Sequence, residues 1–402
     1  MAQRKTIAIL GGGSAGLTAA RTAHELGARV LFFTGSRGDY ASLCIERGCM
    51  PSKALFEPID AMQRAQRHGW LTVEPRQPAE FLGQIVAWKD REIAEFRRYR
   101  KDEIARLAAE DFVIVRADAR FVGENEIDDG SNRHRFDAAI IATGSSNSVP
   151  EAVRVPIGPD GVWTNDEILA NTAVPKSLVI VGAGPVALEF SIRYAWLGCS
   201  VTIISRAAPL AKYPQEFGAR LQRIYEREGV RFLVGHELLS LERNADEGFR
   251  ANTRGPAGEV SVESEKVLLA TGRHPEFSQL NLDAIGITPT AKGKLALEMD
   301  MRVSGRRHIF AAGDVAGQRM VVHQAHIEAG IAAENAVHDG DRKWDRHSNL
   351  QIVFSVPEFA WAGQSRATAE KAGHRVATAS AQSKEVGKLH LAGDDDGLGE
   401  LI

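Results

Sequence analysis

The sequence is poor in several features that define other protein classes. It has three cysteines among 402 residues, too few for a disulfide scaffold. No apolar run approaches the ~18 residues of a membrane-spanning helix. The formal net charge of −3 offers no basic field to hold nucleic acid by its phosphates. We therefore expect neither a nucleic acid nor a membrane as partner.

The composition is that of a globular protein with more than one domain. Apolar residues make up 44% of the chain and charged residues 25%, both ordinary values. A length of 402 residues predicts two or three domains. Because cysteines are few and the first residues do not form an apolar leader, we expect a cytoplasmic protein. A close cysteine pair in such a protein is catalytic or binds metal.

One sequence unit occurs twice. Residues 6–34 read TIAILGGGSAGLTAARTAHELGARVLFFT, and residues 178–205 read LVIVGAGPVALEFSIRYAWLGCSVTIIS. Each copy is an apolar run, a glycine-rich turn, an amphipathic helix ended by glycine, and a second apolar run. This order predicts a βαβ unit with parallel strands. We therefore predict an α/β fold with two Rossmann-like dinucleotide-binding domains.

The glycine-rich turns have the residues that a pyrophosphate site needs. The first glycine permits a tight turn, the second allows close backbone approach, and the third position requires a small residue. The following helix presents free N–H groups to phosphate. Glycine turns also begin ordinary helices, so it is the repetition that favours cofactor binding. The candidates are Gly11, Gly13, Ser14, Ala15 and Gly16 in the first copy and Gly182, Gly184, Pro185, Val186 and Ala187 in the second.

Three further apolar segments end in small or acidic residues. They are DAAIIATG at 137–144, KVLLATG at 266–272 and IFAAGD at 309–314. Strands of open α/β sheets end near the cofactor. Thr143, Gly144, Gly272 and Asp314 are therefore further candidates for cofactor binding. The alternative is that the segments are ordinary buried strands.

Two cysteines lie close together in the segment CIERGCMPSK, shortly after the first repeat. Cys44 and Cys49 are five positions apart, which on a regular helix turns them about 140° away from each other. A disulfide needs Cα atoms about 5–6 Å apart, so we expect a distorted first turn, for which Gly48 is suited. A helix starting near Pro51 would lower the pKa of a cysteine at its N-terminus.

This pair, placed after a dinucleotide-binding motif, indicates electron transfer from a flavin or nicotinamide into a disulfide. A zinc site is one alternative, although it needs two more ligands and there is no second cysteine pair. Two unpaired structural cysteines are the other. Cys199 enters an apolar segment after Gly198 and is expected to be a small buried core residue.

Together these motifs resemble the flavin-dependent pyridine nucleotide–disulfide oxidoreductases, a family that includes dihydrolipoamide dehydrogenase, glutathione reductase and mercuric reductase. The resemblance runs from about residue 5 to the last residue. It implies that the first copy binds FAD, the second binds NAD(P)H, and the protein is a homodimer. The implied domains are a split FAD domain at 1–150 and 271–345, an inserted nicotinamide domain at 151–270 and a partial α+β interface domain at 346–402.

The resemblance also implies roles for single residues. Cys49 would face the flavin as the charge-transfer thiolate, and Cys44 would exchange with the substrate. Lys53 resembles the lysine beside the flavin, with Glu189 as its ion-pair partner. The segment from Met320 to His323 resembles the one that touches the flavin.

The end of the second repeat indicates which nicotinamide is used. An acid at that position binds the ribose 2′-OH of NAD, whereas a nearby arginine accommodates the 2′-phosphate of NADP. This sequence has Ser205 there, followed by Arg206 and, further on, Lys212. The absent carboxylate and the two cations predict NADP(H) in preference to NAD(H). The alternative is that both cations are ordinary surface charges.

Three features depart from the family pattern. Thr34 stands where the family has an acid on the adenosine ribose. Ala41, Ser42 and Leu43 stand where Gly-Gly usually precedes the first cysteine, so side chains would crowd the flavin or its pyrophosphate. The interface domain, expected to begin near Ser348, has roughly half the family's length, which suggests a C-terminally truncated chain.

Three functions are compatible with these features. The leading prediction is an enzyme that passes electrons from NAD(P)H through FAD and the Cys44–Cys49 disulfide to a small-molecule or protein disulfide, as dihydrolipoamide dehydrogenase does. The second is a flavin reductase of a quinone, metal ion or oxygen, with peripheral cysteines. The third is a degenerate or truncated flavoprotein without catalysis. A small disulfide, a lipoyl group and a mercuric ion are all compatible acceptors.

Overall fold

The fold is described by a computed structural model. It describes residues 4–36, 42–70, 78–345, 350–391 and 396–402. Ala41 and Ser348, both used in the sequence predictions, lie outside these ranges. None of the helices in the described part combines the length and apolar character needed to span a bilayer.

Strands and helices alternate along much of the chain. In the described residues the strands are β1 Thr6–Leu10, β2 Arg29–Phe33, β3 Phe112–Val115, β4 Arg120–Gly123, β5 Glu126–Asp128, β6 Arg133–Arg135, β7 Ala138–Ile141, β8 Ser145–Asn147, β9 Ser177–Val181, β10 Ser200–Ser205, β11 Arg231–Val234, β12 Glu237–Arg243, β13 Phe249–Gly255, β14 Gly258–Ser264, β15 Lys266–Leu269, β16 Arg273–Pro275, β17 Ile309–Ala311, β18 Leu350–Val353, β19 Phe359–Ala362, β20 Ala379–Gln382 and β21 Leu398–Leu401. The α-helices are α1 Ser14–Glu25, α2 Leu43–Glu46, α3 Cys49–Arg67, α4 Pro78–Leu107, α5 Asn165–Ala170, α6 Pro185–Trp196, α7 Gln215–Arg227, α8 Val322–His338, α9 Arg366–Lys371 and α10 Gly387–Leu391.

The chain divides into two compact units, each assembled from three segments. Unit 1 comprises Met1–Pro51, Arg91–Asn147 and Arg273–Arg346, and unit 2 comprises Ser52–Asp90, Ser148–Gly272 and His347–Ile402. Each unit contains one copy of the sequence repeat. The two copies form the parallel pairs β1–β2 and β9–β10, so the predicted α/β fold with repeated βαβ units is confirmed.

Unit 1 is built on a five-stranded parallel sheet with the order β17-β7-β1-β2-β3. Because side chains alternate along a strand, β1 contributes to two separate cores. Ile7 and Ile9 pack with alanines of α1 and α8. Ala8 and Leu10 lie in the other core, which includes residues of the antiparallel sheet β4-β5-β6. The sheet is therefore covered on both faces, as parallel sheets require.

Unit 2 repeats this arrangement around a four-stranded parallel sheet with the order β11-β10-β9-β15. Leu178 and Ile180 of β9 pack in a core shared with α3, α6 and α7. Val179 and Val181 face the antiparallel sheet β12-β13-β14. Near the C-terminus, β18 and β19 form an antiparallel pair, as do β20 and β21.

The first glycine of each repeat touches the neighbouring strand. Gly11 has φ +120°, and a Cβ built there would lie 2.2 Å from the carbonyl oxygen of Ala142. Gly182 has φ +116°, and its Cβ would lie 2.3 Å from the carbonyl oxygen of Ala270. Both alanines begin the Ala-Thr-Gly segments. The contact explains why these segments and the glycine turns occur together, since only a residue without a side chain fits.

Arg193 of α6 connects its own helix to α3 and to the segment after β18, all within unit 2. Its guanidinium donates two hydrogen bonds to the carboxylate of Asp60 in α3, at 2.8 and 2.7 Å. It also donates to the backbone oxygens of Glu189 and Phe354, at 2.8 and 2.7 Å. The guanidinium lies 4.1 Å from the ring centre of Phe56, and the Arg193 side chain is 3% exposed. This buried cation therefore fixes α3 and the segment after β18 against α6.

Replacing Gly11 with alanine is expected to destabilise the protein by roughly 1–3 kcal/mol, because a Cβ would collide with backbone and the positive φ disfavours a side chain. Thermal unfolding measures the loss. Gly330→Ala in α8 is the control, since a Cβ there meets no atom within 4 Å and alanine favours helix. Equal melting temperatures for G11A and G330A would contradict the argument.

Replacing Arg193 with methionine is expected to cost about 3 kcal/mol, because it leaves the mostly buried carboxylate of Asp60 unpaired. Urea unfolding followed by circular dichroism measures this cost. Arg250→Met is the matched control: the Arg250–Glu263 pair is half-exposed on both sides and should contribute about 0–1 kcal/mol. A similar loss in both variants would show that burial of Arg193 is unimportant.

Candidate functional site

The two cysteines of unit 1 meet where α3 begins. Helix α2 ends just before Gly48, and α3 starts at Cys49, two residues earlier than the predicted start near Pro51. A Cβ on Gly48 would lie 2.8 Å from the carbonyl oxygen of Leu43, so glycine is needed for this tight turn. The thiol of Cys44 forms a hydrogen bond with Cys49. The structure thus brings the sulfur atoms together through the expected distorted turn.

The pKa of the Cys44 thiol is raised above its usual value. The largest cause is its hydrogen bond with Cys49, and burial adds to it. The backbone N–H groups of Cys49 and Met50 also contact the Cys44 sulfur and act in the opposite direction, but they do not prevail. The helix N-terminus is expected to lower the pKa of the cysteine at its start, which is Cys49, so the raised pKa of Cys44 does not bear on that prediction.

Glu46 lies between the two cysteines in the sequence, and its carboxylate binds an arginine of α4. Both of its carboxylate oxygens accept hydrogen bonds from the guanidinium of Arg97 in α4. The Glu46 side chain is 16% exposed and that of Arg97 is 38% exposed, so the carboxylate is largely shielded from solvent while the guanidinium is partly exposed. The ion pair attaches the loop to α4. Sequence reasoning did not identify this pair, since Arg97 is far from the loop in the chain.

A cavity of about 790 Å³ in unit 1 is bordered by the glycine-rich turn. Gly11, Gly13, Thr143 and Gly144 line it together. Gly13 caps α1 without any side-chain hydrogen bond, so the backbone N–H groups of the first turn are accessible to a phosphate. A Cβ on Gly13 would meet only Ser42, at 3.9 Å, which leaves space against the backbone. This cradle fits the pyrophosphate of a dinucleotide such as FAD.

The other predicted residues of the first glycine motif lie next to the cavity but do not line it. Ser14, Ala15 and Gly16 form the first turn of α1. A Cβ on Gly16 would lie 1.8 Å from the carbonyl oxygen of Gly11, so this position requires glycine for packing of the turn. These three residues do not line the cavity and support its wall instead.

Thr34 and Asp118 face the same cavity from adjacent segments. Thr34 follows β2, and its hydroxyl donates to the carbonyl oxygen of Val115 at 3.4 Å. Asp118 follows β3, and its Oδ1 accepts from the backbone N–H of Ser36 at 3.2 Å. Ser42, one of the residues expected to crowd the flavin site, lines the cavity and caps α2. Sequence reasoning singled out Thr34 and Ser42 but overlooked Asp118.

Three predicted cofactor residues lie elsewhere in unit 1. Asp314, after β17, accepts a hydrogen bond from the hydroxyl of Ser145 at 2.6 Å. Burial raises the pKa of Asp314, although Ser145 and Arg273 oppose this shift. Met320 precedes α8, and His323 lies in its first turn. Asp314, Met320 and His323 are not among the residues that line the cavity.

In unit 2, Lys53 and Glu189 form the ion pair that the resemblance implies. The Lys53 ammonium lies 3.0 Å from Glu189 Oε2 and 4.0 Å from the ring centre of Phe354. The backbone N–H of Phe354 donates to Glu189 Oε1 at 3.1 Å. Arg193, four residues after Glu189 on α6, holds the backbone of both Glu189 and Phe354. The four-residue spacing was the only sequence signal for Arg193.

The second glycine motif surrounds the start of α6. Gly184 caps α6 without a side-chain hydrogen bond, and Pro185 and Val186 begin the helix with exposed side chains. Ala187 is buried. A Cβ on Gly184 would meet no atom within 4 Å, so its backbone is open to a ligand.

The predicted nicotinamide-selecting residues lie after β10. Ser205 ends this strand, is buried and donates to the backbone oxygen of Ala207 at 2.8 Å. Arg206 and Lys212 are both exposed, so their charges are available to an anion. Gly272 follows β15 with φ +102°, and a Cβ built there would meet no atom within 4 Å.

Cys199 is 5% exposed, which confirms its prediction as a buried core residue. Burial raises the pKa of its thiol to about 12. In the part of the chain that the structure describes, no three His, Cys, Asp or Glu side chains are grouped to hold a metal ion.

Comparison with known proteins agrees with these features. The family model for pyridine nucleotide-disulphide oxidoreductases matches residues 5–329. Mercuric reductase from Staphylococcus aureus is 28% identical over 397 residues, covering 98% of this chain and 71% of that protein. Dihydrolipoyl dehydrogenase 3 from Haloarcula marismortui is 28% identical over 414 residues, covering 98% of this chain and 83% of that protein.

Solved structures show the same fold. LpdA from Mycobacterium tuberculosis superposes with a TM-score of 0.84 at 22% identity, covering 98% of this chain and 86% of that chain. The HOCl-induced flavoprotein disulfide reductase RclA from Escherichia coli gives a TM-score of 0.82 at 20% identity, with the same coverage. The resemblance inferred from the motifs is thereby confirmed. This chain belongs to the pyridine nucleotide-disulphide oxidoreductase family of FAD-dependent enzymes.

Proposed function

We propose that this protein transfers two electrons from NADPH through FAD to the Cys44–Cys49 disulfide, and from there to an external disulfide. The observation that carries this proposal is the contact between the two sulfur atoms at the start of α3, within a unit that also contains a dinucleotide-binding turn. When bound, FAD accepts a hydride from the nicotinamide and passes the electron pair onward.

We assign the cofactors to separate segments. Gly11, Gly13, Thr143 and Gly144 would hold FAD in the cavity of unit 1. NADPH would bind at the start of α6, within the Ser148–Gly272 segment of unit 2. The strands after residue 350 would belong to an interface domain of a homodimer. A cytoplasmic location accords with the small number of cysteines.

The raised pKa of Cys44 supports different roles for the two sulfurs. Reduction by two electrons and one proton opens the disulfide, leaving Cys44 as the thiol and Cys49 as the thiolate. Cys44 gives up its proton as its sulfur attacks the external disulfide, and that proton goes to the first thiol released. Cys49 attacks the mixed disulfide at the Cys44 sulfur and re-forms the internal bond. With one solvent proton, the second thiol leaves, so NADPH, H⁺ and a disulfide give NADP⁺ and two thiols.

Lys53 and Glu189 are proposed as the charged pair that supports electron transfer. Glu189 holds the ammonium at 3.0 Å, and the ring of Phe354 lies 4.0 Å from it. Arg193 in turn fixes the backbone on which Glu189 and Phe354 are carried. The Lys53 ammonium would then be a fixed positive charge that stabilises negative charge developing on the flavin.

A mercuric ion is a second candidate acceptor. The observation in its favour is the similarity to mercuric reductase across 98% of this chain. Paired thiolates are soft ligands that suit a soft metal ion. Parallel assays with a lipoyl disulfide, a small peptide disulfide and mercuric ion would identify the preferred acceptor from the ratio of kcat/KM values.

Anaerobic titration with NADPH tests the electron route. We expect the flavin absorption band to develop a long-wavelength shoulder, because the Cys49 thiolate would lie next to the bound flavin in the two-electron-reduced protein. Cys49→Ser should abolish the shoulder. Cys44→Ser should retain it but lose disulfide reduction, and Cys199→Ala serves as the control with both properties kept. Simple bleaching of the wild-type flavin without a shoulder would contradict the proposed disulfide chemistry.

The NADPH preference can be tested at Arg206. Arg206→Leu should raise KM for NADPH by about tenfold or more and leave KM for NADH nearly unchanged, because only NADPH has the 2′-phosphate. Steady-state kinetics with both nucleotides measure the ratio. Arg231→Leu is the control, since this exposed arginine lies at the opposite end of the parallel β10–β11 pair. A wild-type preference for NADH would overturn the assignment.

A further inference from the structure

The neighbouring strands β2 and β3 direct their following segments into the same part of the unit 1 cavity. The strands are parallel, with Phe33 opposite Val115. The backbone N–H of Thr34 donates to the Val115 carbonyl oxygen at 2.9 Å, so the segments stay paired as they leave the sheet. Two residues later, the backbone N–H of Ser36 donates to Asp118 Oδ1 at 3.2 Å. Asp118 is thereby positioned beside the end of β2.

The end of β2 is where a Rossmann unit usually binds the ribose through an acid. Thr34 occupies this position and cannot replace a carboxylate. Its hydroxyl proton is directed to the Val115 carbonyl oxygen, and one hydroxyl oxygen does not offer the two separate acceptors that a ribose diol uses. A cofactor bound to this turn therefore requires an acceptor from another segment.

Asp118 is an acceptor in the same part of the cavity. Its side chain is exposed and lines the cavity together with Thr34 and Ser36. Only Oδ1 is used by the Ser36 N–H, and within the described residues Oδ2 has no hydrogen bond and the carboxylate has no ion pair. A carboxylate that accepts from ribose hydroxyls makes charge-assisted hydrogen bonds, which are stronger than those of a neutral acceptor.

We propose that Asp118 binds the ribose hydroxyls in the adenosine half of FAD and so replaces the acid that is missing at residue 34. The proposal rests on the assignment of FAD to the unit 1 cavity. It makes Asp118 a residue for cofactor affinity, with no part in the cysteine chemistry.

The test compares FAD with its 2′-deoxyadenosine analogue. Apoprotein is titrated with each flavin, and quenching of flavin fluorescence gives the dissociation constant. Asp118→Asn should weaken FAD binding by about tenfold or more and change binding of the deoxy analogue much less, because the analogue lacks one hydroxyl that Asp118 would accept from. Asp102→Asn, at an exposed acid of α4 outside the cavity, is the matched control and should bind both flavins as wild type does.

A second variant guards against a purely structural effect. Thr34→Glu in the Asp118→Asn background should restore FAD affinity, because it returns a carboxylate to the end of β2. An equal loss for both flavins in Asp118→Asn, or no loss for either, would overturn the proposal. Failure of the wild-type protein to bind either flavin would instead overturn the FAD assignment itself, and the role of Asp118 with it.

Discussion

The contact between a glycine-rich turn and the neighbouring strand is the constraint on which both units depend. Gly11 and Gly182 approach the carbonyl oxygens of Ala142 and Ala270 so closely that no side chain fits. The approach places the start of α1 and of α6 at the carboxyl ends of their sheets, with backbone N–H groups accessible. The same turn therefore serves packing and leaves backbone N–H groups at the helix start that would suit a phosphate.

A comparable constraint shapes the cysteine loop. Gly48 lets the chain turn tightly enough for the Cys44 and Cys49 sulfurs to meet, which five positions on a regular helix would prevent. The pair of Glu46 with Arg97 then attaches this loop to α4. The hydrogen bond between the sulfurs also raises the pKa of the Cys44 thiol, so the tight turn sets the chemical environment of this cysteine as well as its position.

Sequence patterns predicted the elements that repeat and the residues that must be small. The two βαβ units and the strands that end in Ala-Thr-Gly follow from motifs with fixed spacing. The pairing of Lys53 with Glu189 is expected only from the family resemblance. Contacts made by single polar side chains have no recognisable pattern in the sequence. The hydrogen bonds of Arg193 to Asp60 join residues that are distant in the chain, so no local pattern marks them.

The sequence by itself determined the family, the α/β architecture and the cysteine pair, because glycine turns, apolar alternation and short spacings act locally. Only the tertiary structure decided the environment of each group. Cys44 has a raised pKa because a second sulfur lies beside it, which outweighs the backbone N–H groups of Cys49 and Met50. Asp118 reaches the end of β2 because β3 runs parallel to it. Such effects depend on distances between separate segments, and those distances exist only once the sheet has formed.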